Sequence, residues 1–163
     1  YSLADKIVIR IVRKPFGILN QVFYPRLMLN LNIKNFKLLL FGSFCSAWIL
    51  YLIIYFTSEK IFMLLGGYEY LEYVIILKIL SFVIIFTSIH MLLGSLLISF
   101  NLQKYFNRSI LAGSVSYVLM LSFMYSFNMF TINRIAFLTI FVDFIILVYR
   151  LYYVRKYQIL KIT

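Results

Sequence analysis

A chain of 163 residues with a formal net charge of +11, 64 % hydrophobic and 13 % charged residues, and a mean hydropathy of +0.96 is too apolar for a water-soluble domain. Soluble domains are about half apolar and about a quarter charged, so the solvent of this chain is lipid. The positive charge sits between apolar runs and not on one polar face, which argues against a nucleic-acid partner and for membrane topology.

The first segment, Tyr1 to Asn30, mixes bulky apolar residues with Lys6, Arg10, Arg13 and Lys14. It is long enough to span, and Pro15 and Pro25, which would bend or end a soluble helix, are better tolerated in membrane helices. Residues 1–30 therefore read as a basic, Pro-kinked membrane helix, followed by a cytoplasmic loop at 31–37. Crossing the hydrocarbon takes about 20 mostly apolar residues, and four further segments meet that length: 38–57, 74–99, 109–132 and 135–154. Between them lie an external loop at 58–73, a cytoplasmic loop at 100–108 and an external turn at 133–134, with a cytoplasmic tail at 155–163. The runs are too long for barrel strands and show no alternation. The expected fold is all-α: a polytopic integral membrane protein of about five transmembrane helices. The chain begins at Tyr1 without a signal segment and reads as the downstream part of a longer one.

Loop charge sets the expected orientation. Arg26, Lys34, Lys37, Lys104, Arg108, Arg150, Arg155, Lys156 and Lys161 fall on one side, nine of the sixteen basic residues. The other side carries Lys60 and Arg134 against Glu59, Glu69 and Glu72. The positive-inside tendency then makes the C-terminus cytoplasmic. It also puts the opening stripe at membrane depth. Lys6, Arg10 and Arg13 follow i, i+4, i+7 spacing and share one helix face, with Lys14 beside it and Asp5 offsetting one charge. Two arrangements answer that energetic cost. An interfacial helix would lay the stripe on anionic headgroups; a kinked helix lining a wet cavity would aim it at an anionic ligand, for which the arginine fork suits phosphate. A third reading is a segment left without partners by truncation.

Within the spans, Asp143 lies midway along the last one and is a candidate proton or sodium site, a partner for a basic residue, or a structural hydrogen-bonding group. His90 suits a proton relay or a buried hydrogen bond. Lys78, one turn inside the external end, can snorkel outward. Ser114, Ser116, Ser122, Ser126 and Asn128 make the third span polar, for helix packing first and sugar contact second. Tyr51, Tyr55, Tyr68, Tyr152 and Tyr153 fall at span ends, as interfacial belts do. Cys45 is the single cysteine, so no intrachain disulfide or thiolate cluster forms. No phosphate loop, nucleotide fingerprint, metal-spaced His/Cys set or nucleophile elbow is present, so no enzyme activity, cofactor or metal is expected.

The run "YSLADKIVIRIVRKPFGILNQVFYPRLMLN", with Tyr1, Ala4, Asp5, Lys6, Tyr24 and Pro25 in place, resembles a middle helix of polysaccharide (O-antigen) repeat-unit flippases. These belong to the multidrug/oligosaccharidyl-lipid/polysaccharide exporter superfamily. "LLGGYEYLEYVIILKILSF" resembles the family's external loop and next helix, and "GSLLISFNLQKYFNRS" its helix end and basic turn. The turn "FTINRIA" departs from the family's Gly-rich one. The resemblance implies the C-terminal bundle of a twelve-helix transporter in the inner (cytoplasmic) membrane. It implies alternating access, with a polyprenyl-pyrophosphate-linked oligosaccharide as cargo and Lys6, Arg10, Arg13 and Lys14 as its contacts. Membrane lipids, and the polysaccharide polymerase and chain-length machinery, are the other partners it implies. A cation-coupled drug exporter of the same superfamily, a membrane-embedded transferase and a non-functional remnant are the rival readings.

Overall fold

The computed structural model describes residues 33–161 together with Lys14, Gly17 and Ile18. Every long element is a helix, and no strand occurs among the described residues. Helix α1 (Ile33–Gly66) runs unbroken for 34 residues, about 50 Å at the usual helical rise, and so overhangs a hydrocarbon core of about 30 Å. It stops where Gly67 takes φ +83 and donates to the Met63 carbonyl at 3.2 Å. A side chain at that φ would be strained. A 3-10 turn (Tyr68–Tyr73) leads into α2 (Val74–Ser81), and after Phe82 the chain continues as α3 (Val83–Ser99). Phe82 keeps helical angles, but its N–H turns to the Ile79 carbonyl at 3.1 Å, a local 3-10 tightening in an otherwise continuous rod. Helices α4 (Gln103–Ser126) and α5 (Ile132–Lys156) complete the bundle, with a last 3-10 turn at Ile159–Lys161.

Four spans, 33–65, 68–99, 103–126 and 132–156, are thus long and apolar enough to cross a membrane, and the chain is an all-α multi-span membrane protein. The fifth expected span, 1–30, lies outside the described residues but for Lys14, Gly17 and Ile18. Several expected boundaries move. The loops at 31–37 and 58–73 are largely helical, because hydropathy marks the end of an apolar run and not the end of a hydrogen-bond ladder. Phe62, only 1 % exposed, packs with Val74, Ile76 and Leu77 and holds the overhang of α1 in place. The loop at 100–108 shrinks to 100–102, and the turn at 133–134 moves to 127–131. Both shifts have one cause. Asn101 and Asn128 take the left-handed conformation, φ 59 and 52. Behind them Leu102 N–H reaches the Leu97 carbonyl at 2.8 Å and Met129 N–H the Met124 carbonyl at 2.9 Å. These are Schellman stops built on asparagine instead of glycine.

The α2–α3 rod is central, with α1 against one side and α5 against another; α4 packs mainly on α5. Twelve of the seventeen α3 residues are buried, but only Ser109 and Gly113 of α4 are. Ser114, Ser122, Ser126 and Asn128, expected to serve helix packing, are exposed in this chain, and Ser126 donates to the Ser122 carbonyl of its own helix. Two apolar clusters occupy the ends of the bundle. One gathers Ala47, Ile54, Phe62, Leu77, Leu80 and Ala136, the other Phe36, Leu93, Leu96, Leu97, Val154 and Ile159. Lipid gives helices no hydrophobic reason to associate, so packing rests on close approach of small residues; Ala47, Ser81, Ser88 and Ala136 are wholly buried here.

Lys78 does reach outward, to Glu59 at 3.6 Å and over the Tyr55 ring at 5.0 Å. At the opposite end Tyr105 stacks on Tyr153 with centroids 4.1 Å apart. Tyr157 donates to the Tyr105 hydroxyl at 2.6 Å, a hydrogen bond that pushes the Tyr157 phenol above its ordinary pKa.

A Cβ added at Gly113 would meet Ile146 Cγ1 and Cδ1 at 2.8 Å. Gly113→Leu is expected to destabilise the α4–α5 contact by about 1–3 kcal/mol, lowering the thermal midpoint in detergent. Ile146→Ala in the same chain should recover part of that loss. Equal midpoints for the parent and Gly113→Leu would refute the contact.

Candidate functional site

Three stripes of residues converge between the two apolar clusters. Helix α3 contributes Thr87, His90 and Gly94, helix α4 contributes Phe106 and Ser109, and helix α5 contributes Asp143 and Arg150. The spacings 87/90/94 and 143/150 each place their members on one helix face. The pairing of 87 with 143 and 94 with 150 shows that α3 and α5 run in the same direction. The pairing of 109 with 150 and 113 with 146 shows that α4 runs against α5.

Arg150 is 4 % exposed, Asp143 8 % and His90 9 %. A charge at this depth is costly unless each of its donors is matched. The Arg150 guanidinium donates from Nε to Ser109 Oγ at 2.9 Å, and from Nη1 to the His90 backbone carbonyl and to His90 Nδ1, the latter at 3.3 Å. Its face lies over the Phe106 ring, 4.6 Å from the centroid. The other side is open because residue 94 is glycine. A Cβ there would stand 2.6 Å from Nη1 and 2.9 Å from Phe106 Cε2. Close approach, not backbone freedom, is what this glycine supplies.

Asp143 accepts a hydrogen bond from Thr87 Oγ1 at 2.8 Å. The same oxygen, Oδ2, is 3.8 Å from His90 Nε2, beyond hydrogen-bond length. His90 Nε2 is buried without a hydrogen-bond partner. Its protonation follows from its neighbour. A guanidinium has donors only, so Nδ1 must accept and the ring proton of neutral His90 sits on Nε2. The imidazole thus stands between a cation on one nitrogen and a carboxylate on the other, an arrangement that can hold, release or re-site a proton.

Asp143 and His90, singled out separately in the sequence, are brought together here. Lys6, Arg10 and Arg13 lie outside the described residues; Lys14 is helical and exposed. Arg150 corrects an expectation. Counted with the cytoplasmic cations because it lies near the helix end, it is among the most buried polar residues. The signal for it was its seven-residue distance from Asp143, two turns along the same face. Ser109, Gly94 and Phe106 carried no sequence signal of their own. Among the described residues no three His, Cys, Asp or Glu side chains gather as a metal site.

Comparison with family models, curated proteins and solved structures returned no match. What the fold and the cluster define is a class: a multi-span α-helical membrane protein with an ionic cluster locked between three of its helices.

Removing one member of a buried ion cluster strands the other, at a cost of about 3–5 kcal/mol, whereas removing both is milder. Arg150→Leu should therefore destabilise the detergent-solubilised chain by that order, and Arg150→Leu with Asp143→Leu by clearly less. Exposed Arg155→Leu should change little. Additive losses in the double variant would show that Arg150 and Asp143 are not coupled.

Proposed function

We propose that this chain is part of a membrane transporter that flips lipid-linked oligosaccharide repeat units across the cytoplasmic membrane for surface polysaccharide synthesis. The observation that carries the reading is the Arg150–His90–Asp143 cluster. A bundle that only needs to be stable does as well or better with apolar residues at such positions; charged groups inside a membrane bundle more often mark a transport pathway or its coupling. The sign of the charge favours an anionic cargo. Lys6, Arg10, Arg13 and Lys14, with Arg150, outnumber Asp5 and Asp143 in the membrane segments.

A polyprenyl-pyrophosphate-linked oligosaccharide fits that balance. Its pyrophosphate would meet Lys6, Arg10 and Arg13, with Lys14 at the edge, while the lipid tail stays in the bilayer. Asp143 and His90 would serve coupling rather than cargo, since both are buried within the bundle. Movement would follow alternating access, one helix group rocking against another about a site near mid-membrane. The charge asymmetry supports a cytoplasmic C-terminus. Lys34, Lys37, Lys104, Arg108, Arg155 and Lys156 share the end opposite Glu59, Glu69 and Glu72. Polymerase and chain-length machinery are partners in keeping with that role.

In a cell that depends on the parent protein, Arg10→Gln with Arg13→Gln should abolish surface polysaccharide at normal expression. Undiminished polymer would sink the assignment of these residues to the cargo.

A further inference from the structure

Among the described residues, one buried side-chain polar atom of the cluster makes no hydrogen bond. Arg150 donates from Nε and Nη1, and Thr87 and Ser109 each donate one hydrogen bond. His90 Nε2, buried and 3.8 Å from the Asp143 carboxylate, makes none. The other nitrogen of the same ring accepts from a cation that has no lone pair to offer. Its single in-plane lone pair can therefore receive the Arg150 N–H or a proton, but not both.

We propose that His90 Nδ1 is a proton-binding site within the membrane, with Arg150 as the competing ligand and Asp143 as the counter-ion. The balance of the step is simple. One proton adds to the Nδ1 lone pair, and the hydrogen bond from Arg150 Nη1 is released. The resulting imidazolium keeps its proton on Nε2 and turns it to the Asp143 carboxylate. No covalent bond between heavy atoms changes, and the cluster gains one positive charge. Arg150 remains tied through Nε to Ser109 and through Nη1 to the His90 carbonyl, so its guanidinium tilts within its slot and does not leave it.

The groups that face His90 support a proton over an alkali cation. Helix α5 presents Asp143 and Arg150, and α4 presents Ser109 and Phe106, both uncharged. Helix α1 has no charged residue between Lys37 and Glu59. The charge of α2 is Lys78, engaged with Glu59. A hard cation takes oxygen ligands, whereas the atom for which Arg150 competes is a ring nitrogen. A basic ring nitrogen, by contrast, accepts a proton with its in-plane lone pair. The site would give the transport reading its coupling ion and rests on that reading only for this use. Proton binding itself is measured without cargo, so either can fail alone.

His90 is the one histidine of the sequence, so nitrogen-15 histidine in the whole chain, reconstituted in lipid nanodiscs, reports a single imidazole. In alkaline buffer the ring should carry its proton on Nε2 with Nδ1 bare, and both nitrogens should be protonated in one step on acidification. Asp143→Asn, which removes the counter-ion, should lower the proton affinity roughly tenfold or more. Arg150→Gln should raise it. Should Arg150→Gln not fold, Ser109→Ala, which frees only the Nε anchor, should move the midpoint the same way by a smaller step. Exchange of sodium for choline at constant ionic strength should leave the midpoint in place. The proposal is overturned by a proton on Nδ1 in alkaline buffer, by a ring that takes no second proton before the protein unfolds in acid, by a midpoint indifferent to Asp143→Asn, or by one that follows sodium.

Discussion

A guanidinium cannot be discharged at physiological pH, so burying one inside a membrane bundle forces the surroundings to comply. Arg150 sets that demand here. Its donors require Ser109 on one helix and the ring and carbonyl of His90 on another, and its flat faces require an aromatic on one side and an absent side chain on the other. Three helices are thereby fixed in depth and rotation by one side chain. The remainder of the bundle is consistent with that register. The apolar clusters lie beyond the ionic one at either end, and the small buried residues fall where the helices approach.

The arrangement also separates two kinds of polar residue in the spans. Serines and threonines such as Ser58, Ser88 and Thr57 return their hydroxyls to carbonyls three or four residues back, which satisfies those donors inside their own helix. Thr87 and Asp143 meet across helices, and Ser109, whose hydroxyl donates to the Phe106 carbonyl of its own helix, accepts from Arg150 across them. Only the second kind can transmit a change in one helix to another, because only there does a bond have to break when helices shift. That distinction favours the cluster over the polar face of α4 as the place of the proposed coupling.

Charge would tie this chemistry to the proposed transport. On the proposed protonation, Arg150, His90 and Asp143 together would gain one positive charge and attract an anion nearby more strongly, and by reciprocity an anion nearby would make protonation easier. An anionic lipid-linked cargo and a proton would then promote one another's binding without direct contact, in keeping with the cationic stripe of the opening segment.

The sequence by itself determined the solvent, the helical class and the four described spans, because those follow from apolar run length and the need to satisfy every backbone group in lipid. It also determined which end of the bundle is basic. It placed Asp143 and His90 as candidates, since an ionisable residue far inside an apolar run is conspicuous alone. Helix ends were misjudged because hydropathy does not register a left-handed asparagine; Asn101 and Asn128 ended α3 and α4 through backbone geometry. Proximity to the helix end counts Arg150 with the cations of the basic side, but it is buried because Phe36, Val154 and Ile159 pack at that end. Only the tertiary structure could decide that Gly94 leaves room for a guanidinium and that one histidine spans the gap between a cation and a carboxylate. Those facts depend on the rotation of three helices about their axes, which no single helix encodes.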